Sequence, residues 1–158
     1  MIIERNAVRA ILLSRAHEVL LLRVRPPDGR GCFWIAPGGG REAHETAEDT
    51  LRRELREELG LDSFQVGPLV WRRQHTFNWA GRRICQSEHY HIVHVERFEP
   101  VMSDPAEQET LAQFRWWPAA ELDRIGEPKA PESLGEIVAR YLTAGPPPEP
   151  PEWEVLVD

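Results

Sequence analysis

Residues 39–61 read GGREAHETAEDTLRRELREELGL and decide how the rest of the chain is interpreted. Two glycines open the stretch, and Thr46 with Asp49 three residues later has the form of a capping box, so a helix is expected to begin at Ala47. Gly60, just past Leu59, suits the left-handed turn that ends a helix. Within these limits Ala47, Leu51, Leu55 and Leu59 recur every four residues and supply the buried stripe. At about 100° per residue, Glu54, Glu57 and Glu58 fall in one arc beside that stripe and can be aimed at a common point.

Arg52, Arg53 and Arg56 alternate with these acids well enough to make the ion-paired, solvated face that many surface helices carry. Three features argue for more. The acids adjoin the buried stripe, a glycine-rich loop precedes the helix, and Glu45 adds a carboxylate before the cap. Clustered carboxylates suit hard divalent cations, which take oxygen ligands and can share the oxygens of substrate phosphates. A cation held there could neutralise phosphate and activate water for hydrolysis of a phosphoric anhydride, with a neighbouring carboxylate taking the proton.

The rest of the chain is consistent with a small enzyme. It has 158 residues, 41% hydrophobic and 28% charged, enough for one compact domain. The formal net charge of −7 disfavours a general grip on duplex nucleic acid. No apolar run approaches a membrane span, the N-terminus lacks the layout of a secretory signal, and a cytoplasmic location is expected. Cys32 and Cys85 have neither metal-ligand nor redox spacing and read as reduced thiols.

Strands are expected over residues 6–14 and 18–25, then 32–36 running into Pro37-Gly-Gly-Gly40, where the backbone can be approached closely. A hairpin is expected from strands 66–77 and 83–98 around a turn at 79–82, then a strand at 114–117, a short helix opened by Pro118, and a longer one opened by Pro131 and closed by Gly145. The division expected is a domain over 1–145 and a Pro-rich tail over 146–158, whose WEVLV segment could pair along a sheet edge or reach a second copy in a homodimer.

The 39–61 stretch resembles the Nudix box, in which glycine, five residues, glutamate, seven residues and Arg-Glu-aliphatic-any-Glu-Glu-any-Gly-aliphatic follow in order. Gly39, Glu45, Arg53, Glu54, Leu55, Glu57, Glu58, Gly60 and Leu61 fill every specified place. The WIAPGG preceding it and the WWPAAEL segment at 116–122 also look like the family. The resemblance implies an α/β fold, an α/β/α sandwich around a mixed sheet, and Mg²⁺- or Mn²⁺-dependent hydrolysis of a nucleoside diphosphate linked to another moiety. It implies Glu54, Glu57, Glu58 and the Gly38 carbonyl as metal ligands, Glu57 as or beside the base, Arg53 as the ion-pair partner that holds the glutamates, and Glu45 as the tie between loop and helix. A further carboxylate from outside the box is expected at Glu109, then Glu107, then Glu88.

Arg23 and Arg25 share one face of a strand and are the candidates for phosphate contact, against the alternative that an acid pairs with them. Arg72, Arg73, Arg82 and Arg83 could form a second basic rim. His89 and His91 share a face but lack the further ligands of a closed zinc site. Trp34, Phe77, Trp79, Trp116 and Trp117 could stack on a base, Trp79 being the one expected in a turn. The proline or tyrosine that marks some subgroups of the family beyond the box is absent from residues 76–79, which leaves nucleoside triphosphates, nucleotide sugars and dinucleotides open. A nucleotide-sensing domain without turnover is the competing function, and an isoprenoid diphosphate isomerase would need a catalytic cysteine at Cys32 or Cys85.

Overall fold

The computed structural model describes residues 1–102 and 110–158. The expected carboxylates Glu107 and Glu109 lie outside the described residues. Among the described residues the elements run β1 Ile2–Leu13, β2 Glu18–Val24, β3 Phe33–Ile35, β4 Gly38–Gly40, α1 Ala47–Leu59, β5 Leu69–Trp79, β6 Arg82–His94, β7 Leu111–Pro118, a 3-10 helix Ala119–Arg124, β8 Lys129–Ala130, α2 Leu134–Ala144 and β9 Trp153–Val157.

One mixed sheet holds these strands in the order β8-β3-β2-β1-β6-β5-β9, with β4 on β1 and β7 on β2. The two ends of β1 have different neighbours, and that difference makes the site. β1 runs parallel to β6 along its whole length, from Ile2 opposite Arg83 to Leu13 opposite His94. It meets β2 only at Leu13 opposite Val19. Beyond that point the sheet splays, and the glycine strand β4 occupies the β1 edge, with Ala7 opposite Gly40 and Arg9 opposite Gly38. The sheet therefore opens into a cleft, with β1, β6 and β5 on one side and β2 and β3 on the other.

Two apolar layers fix the helices. Leu51, Leu55 and Leu59 of α1 pack on Val8, Ala10, Leu12, Leu20 and Leu22. On the opposite face Leu134, Ile137 and Val138 of α2 pack on Ile11, Leu13, Val19, Leu21 and Ile92. The expected sandwich forms because each strand alternates its side chains between the two faces. α1 has the anticipated ends: Thr46 and Asp49 make both bonds of the capping box, and Gly60 adopts φ 70°. In the hairpin Ala80 and Gly81 both have positive φ, as a two-residue turn between twisted strands requires.

Several boundaries differ from expectation. β1 starts four residues early because parallel pairing with β6 continues to Ile2. β6 stops at His94, after which the Val95 amide donates to Leu13 O. β7 is longer than 114–117 because it lies antiparallel against β2. The segment opened by Pro118 is a 3-10 helix, and α2 begins at Leu134, three residues after Pro131. The WEVLV segment adds to the chain's own sheet as β9, parallel to β5 with Arg72 opposite Trp153. No helix among the described residues is long and apolar enough to cross a membrane.

Candidate active site

The glycine strand and α1 are joined through carboxylates. Gly38 N donates to Glu58 Oε1 at 2.9 Å. A Cβ at Gly39 would lie 2.3 Å from Glu54 Cδ, so the absence of a side chain there is what lets the Glu54 carboxylate lie against the backbone. Glu54 and Glu58 are both buried.

Arg53 organises the acids. Its Nε and Nη2 donate to the two oxygens of Glu45 at 2.8 Å each, Nη2 also to Gly40 O at 2.9 Å, and Nη1 to Glu54 Oε1 at 2.8 Å. Nη1 lies 3.7 Å from Glu57 Oε2. Glu45 further accepts from the Glu42 amide and the Thr50 hydroxyl. The loop is thereby tied to the first and second turns of α1. These bonds, from Arg53 first, push the Glu45 carboxyl down to about 2, and the same pairing raises Arg53 above its ordinary range.

Glu57 is placed differently from its neighbours. Its side chain is 38% exposed, and it is absent from the wall of the cleft that Glu54 and Glu58 line. Among the described residues no three carboxylate, imidazole or thiol groups converge as a ready-made metal site. Glu54 is turned to Arg53 and Glu58 to the Gly38 amide. The donor set along β4 nevertheless consists of oxygen, and the space left by Gly39 is filled by a carboxylate, which is the chemistry a hard cation selects.

The cleft has a volume of about 750 Å³, within the range of sites that enclose a small ligand. Its floor carries a buried ionic network. Glu88 accepts from Arg9 Nε at 2.9 Å, Arg73 Nη1 at 3.0 Å, Tyr90 Oη at 3.0 Å and Gln86 Nε2 at 3.1 Å. Burial would raise the Glu88 carboxyl, but Arg9 and Arg73 together outweigh it and hold the group below its ordinary range. Burial likewise opposes the charge on Arg9, yet Glu88, Tyr90 and Glu58 leave its guanidinium more firmly protonated than usual. Arg9 Nη1 also donates to Ala36 O and Gly38 O, each at 3.3 Å. Glu88 is thus the one expected extra-box carboxylate that the described residues place in the cleft, and it arrives there already paired with two arginines.

Arg23 and Arg25, expected to face the phosphates, are not among the residues that line this cleft. Arg23 is gripped bidentately by Glu127 at 2.9 and 2.8 Å, and Arg25 is exposed beside a smaller depression at Pro27 and Gly29. The cations that do line the cleft include Arg5, Arg9, Arg30 and Lys129. Arg5 and Arg9 alternate along β1 and therefore share a face, the signal in the sequence that could have found them. Of the candidate stacking surfaces, Phe77 and Trp79 line the cleft together with Phe33, whose ring meets Trp79 edge-on at 6.4 Å. Trp34, Trp116 and Trp117 belong to the packed interior or its border. Cys32 reaches the cleft, whereas Cys85 does not line it. His91 Nδ1 lies 3.0 Å from Gly67 O and His89 packs edge-on against Trp153, so neither is committed to a metal site.

Comparison with known proteins decides the family. The NUDIX domain model matches residues 4–141. The chain belongs to the NUDIX domain family. It is 33% identical over 132 residues to a protein of Mycobacterium tuberculosis named as a candidate mutator protein, MutT4, covering 78% of this chain and 51% of that one. It is 39% identical over 59 residues to an 8-oxo-dGTP diphosphatase of Proteus vulgaris, covering 37% of this chain and 53% of that one. The chain thus spans about half the length of these curated relatives. The solution structure of the E. coli ORF135 protein is similar over 94% of this chain and 96% of that one, with a TM-score of 0.60 and 27% identity.

Proposed function

We infer that this Nudix chain hydrolyses a phosphoanhydride bond in a nucleoside diphosphate linked to another moiety, with nucleoside triphosphates as the favoured class. The observation that carries the reading is the placement of Glu54 and Glu58 of α1 against the glycine strand, in the wall of a cleft of nucleotide size that Phe33, Phe77 and Trp79 also line. Relatives named for action on oxidised and ordinary nucleoside triphosphates support the substrate class.

A divalent cation, Mg²⁺ or Mn²⁺, held by Glu54, Glu57, Glu58 and the Gly38 carbonyl would neutralise phosphate oxygens and make water a stronger acid. The chain's own residues do the rest. Arg5 and Arg9 stand beside the glycine strand, where they attract the phosphates; the Arg5 guanidinium is within 3.2 Å of where a Gly40 Cβ would be. Arg53 is engaged with Glu45, Glu54 and Gly40 and does not line the cleft, so it positions the acids, whereas Arg5 and Arg9 line the cleft and face substrate. Glu57, more exposed than Glu54 and Glu58 and 3.7 Å from Arg53, is the carboxylate that takes the proton of a water at Oε. Phe33, Phe77 and Trp79 offer faces for the base.

The test is nucleotide and phosphate release across ordinary and oxidised nucleoside triphosphates, ADP-ribose, nucleotide sugars and dinucleoside polyphosphates, beside a Glu57→Gln control. Metal-dependent turnover that vanishes in the control supports the reading. A folded protein that binds nucleotide tightly and releases no product would replace it with a sensing role.

A further inference from the structure

The strand β9 lies four strand steps from the glycine strand, yet Asp158, the residue that follows it, lines the same cleft. It lies parallel to β5, with Arg73 opposite Glu154 and Thr76 opposite Val157, and the Asp158 amide donates to Thr76 O at 2.9 Å. Side chains alternate along a strand, so Glu154 and Asp158 face the same way as Arg73, His75 and Phe77 of β5. Glu154 accepts from Trp71 Nε1 at 3.0 Å and lies 3.6 Å from Arg73 Nε. Asp158 Oδ2 lies 2.8 Å from His75 Nε2, and both residues line the cleft.

The direction of this last bond follows from its neighbour. Arg73 Nη2 is 3.4 Å from His75 Nδ1, and a guanidinium has only donors. His75 Nδ1 therefore accepts, Nε2 carries the proton, and Asp158 is the acceptor. A polar chain thus crosses the cleft wall from Glu88 through Arg73 and His75 to Asp158. It ends on a carboxylate presented beside Phe77, whose ring is 4.8 Å from that of His75.

The sheet order sets what Asp158 can meet. From β4 through β1, β6 and β5 to β9 there are four strand steps, which at ~4.8 Å each place Asp158 on the order of 19 Å across the sheet from the glycines. Phosphates held at the glycine strand cannot reach it; the non-phosphate end of the ligand can. We propose that the C-terminal strand β9 is part of the substrate site and that Asp158, oriented by His75, is a specificity-determining residue. It accepts a hydrogen bond from an amino group on the edge of the nucleobase. A carboxylate rewards a base that offers an N–H there and penalises one that offers only acceptors.

This inference rests on the nucleotide reading above, so its test measures binding, which is separate from turnover. Non-hydrolysable α,β-methylene triphosphates of guanosine and inosine, and of adenosine and purine riboside, form two pairs that differ only by the exocyclic amino group. Their Kd values are measured by calorimetry with Mg²⁺ on the full chain, its Asp158→Ala variant and its His75→Gln variant. In the wild type the amino-bearing member of at least one pair binds about tenfold more tightly, and Asp158→Ala reduces that ratio to within about twofold. His75→Gln reduces it partly, since the carboxylate remains and loses its orientation. The proposal is overturned if both wild-type ratios lie near one, if no ligand of either pair binds, or if Asp158→Ala keeps the wild-type ratio. Loss of turnover in Glu57→Gln leaves this binding ratio unchanged, so the two readings fail separately.

Discussion

Gly39→Ala isolates the step from backbone to carboxylate. The new Cβ would sit 2.3 Å from Glu54 Cδ and 2.5 and 2.6 Å from its oxygens. Carbons pack at about 3.5–4.0 Å, so the carboxyl must retreat by more than ~1 Å. Its Oε1 is 2.8 Å from Arg53 Nη1, and such a retreat takes it out of hydrogen-bond range. Loss of one charge-assisted bond in this part-buried setting costs about 2 kcal/mol. For a chain of this length that lowers the melting temperature by roughly 4–8 °C and leaves the protein folded at room temperature. Activity suffers more, because a misplacement of about 1 Å in a catalytic group can cost about 100-fold. The neighbouring glycines are internal controls. At Gly40 a Cβ meets the mobile end of Arg5 at 3.2 Å, so Gly40→Ala loses only a few-fold of activity. At Gly38 it would sit 2.1 Å from Val8 O with φ at +142°, so Gly38→Ala fails to fold well. Initial rates of nucleotide release at saturating Mg²⁺, with thermal unfolding of the same samples, give both readouts. A folded Gly39→Ala protein with wild-type turnover would refute the reasoning.

Other substitutions probe the supports of the site. Glu88→Gln leaves Arg9 and Arg73 buried without their shared counter-charge and lowers stability by about 3–5 kcal/mol, read as a shift in the urea midpoint. Glu45 is held at about 2 against an ordinary 4.5, so the folded state binds its proton less readily than the unfolded chain. Its stabilisation is complete above about pH 4.5 and is lost as pH falls towards 2; urea titrations over that window should show a shallower decline in Glu45→Gln. Leu55→Ala removes a fully buried side chain under α1 and costs about 2–5 kcal/mol, with a matching fall in melting temperature. Arg23→Ala, which breaks the pair with Glu127, changes KM for a nucleoside triphosphate far less than Arg9→Ala, and steady-state kinetics of the two variants decides between them.

What could be read in the sequence was local. The ends of α1, the face it buries and the crowding of Glu54 and Glu58 follow from residues within a few turns of one another, and spacing alone reports such relations. The sandwich was legible for the same reason, as strands and helices each declare their period. What escaped notice depends on long-range pairing. Arg9 meets Glu88 across 79 positions and Arg23 meets Glu127 across 104, so the sequence showed Arg23 and Arg25 as two arginines of equal appeal, without the partner that holds Arg23. Two cations of the cleft, Arg5 and Arg9, sit on β1, whose parallel partner β6 supplies Glu88, and nothing near either of them announces that pairing. The return of β9 to β5 was one of two open alternatives, because an apolar edge segment after prolines suits either its own sheet or a neighbour.

The most direct test of the account is a metal titration of the hydrolysis rate for the wild type and for Glu54→Gln, Glu57→Gln and Glu58→Gln, each checked for its fold. The account predicts no turnover in chelator, saturable activation by Mg²⁺ or Mn²⁺ in the wild type, and loss of about 100-fold or more in each variant. Turnover that persists in chelator, or that survives in all three variants, would contradict it.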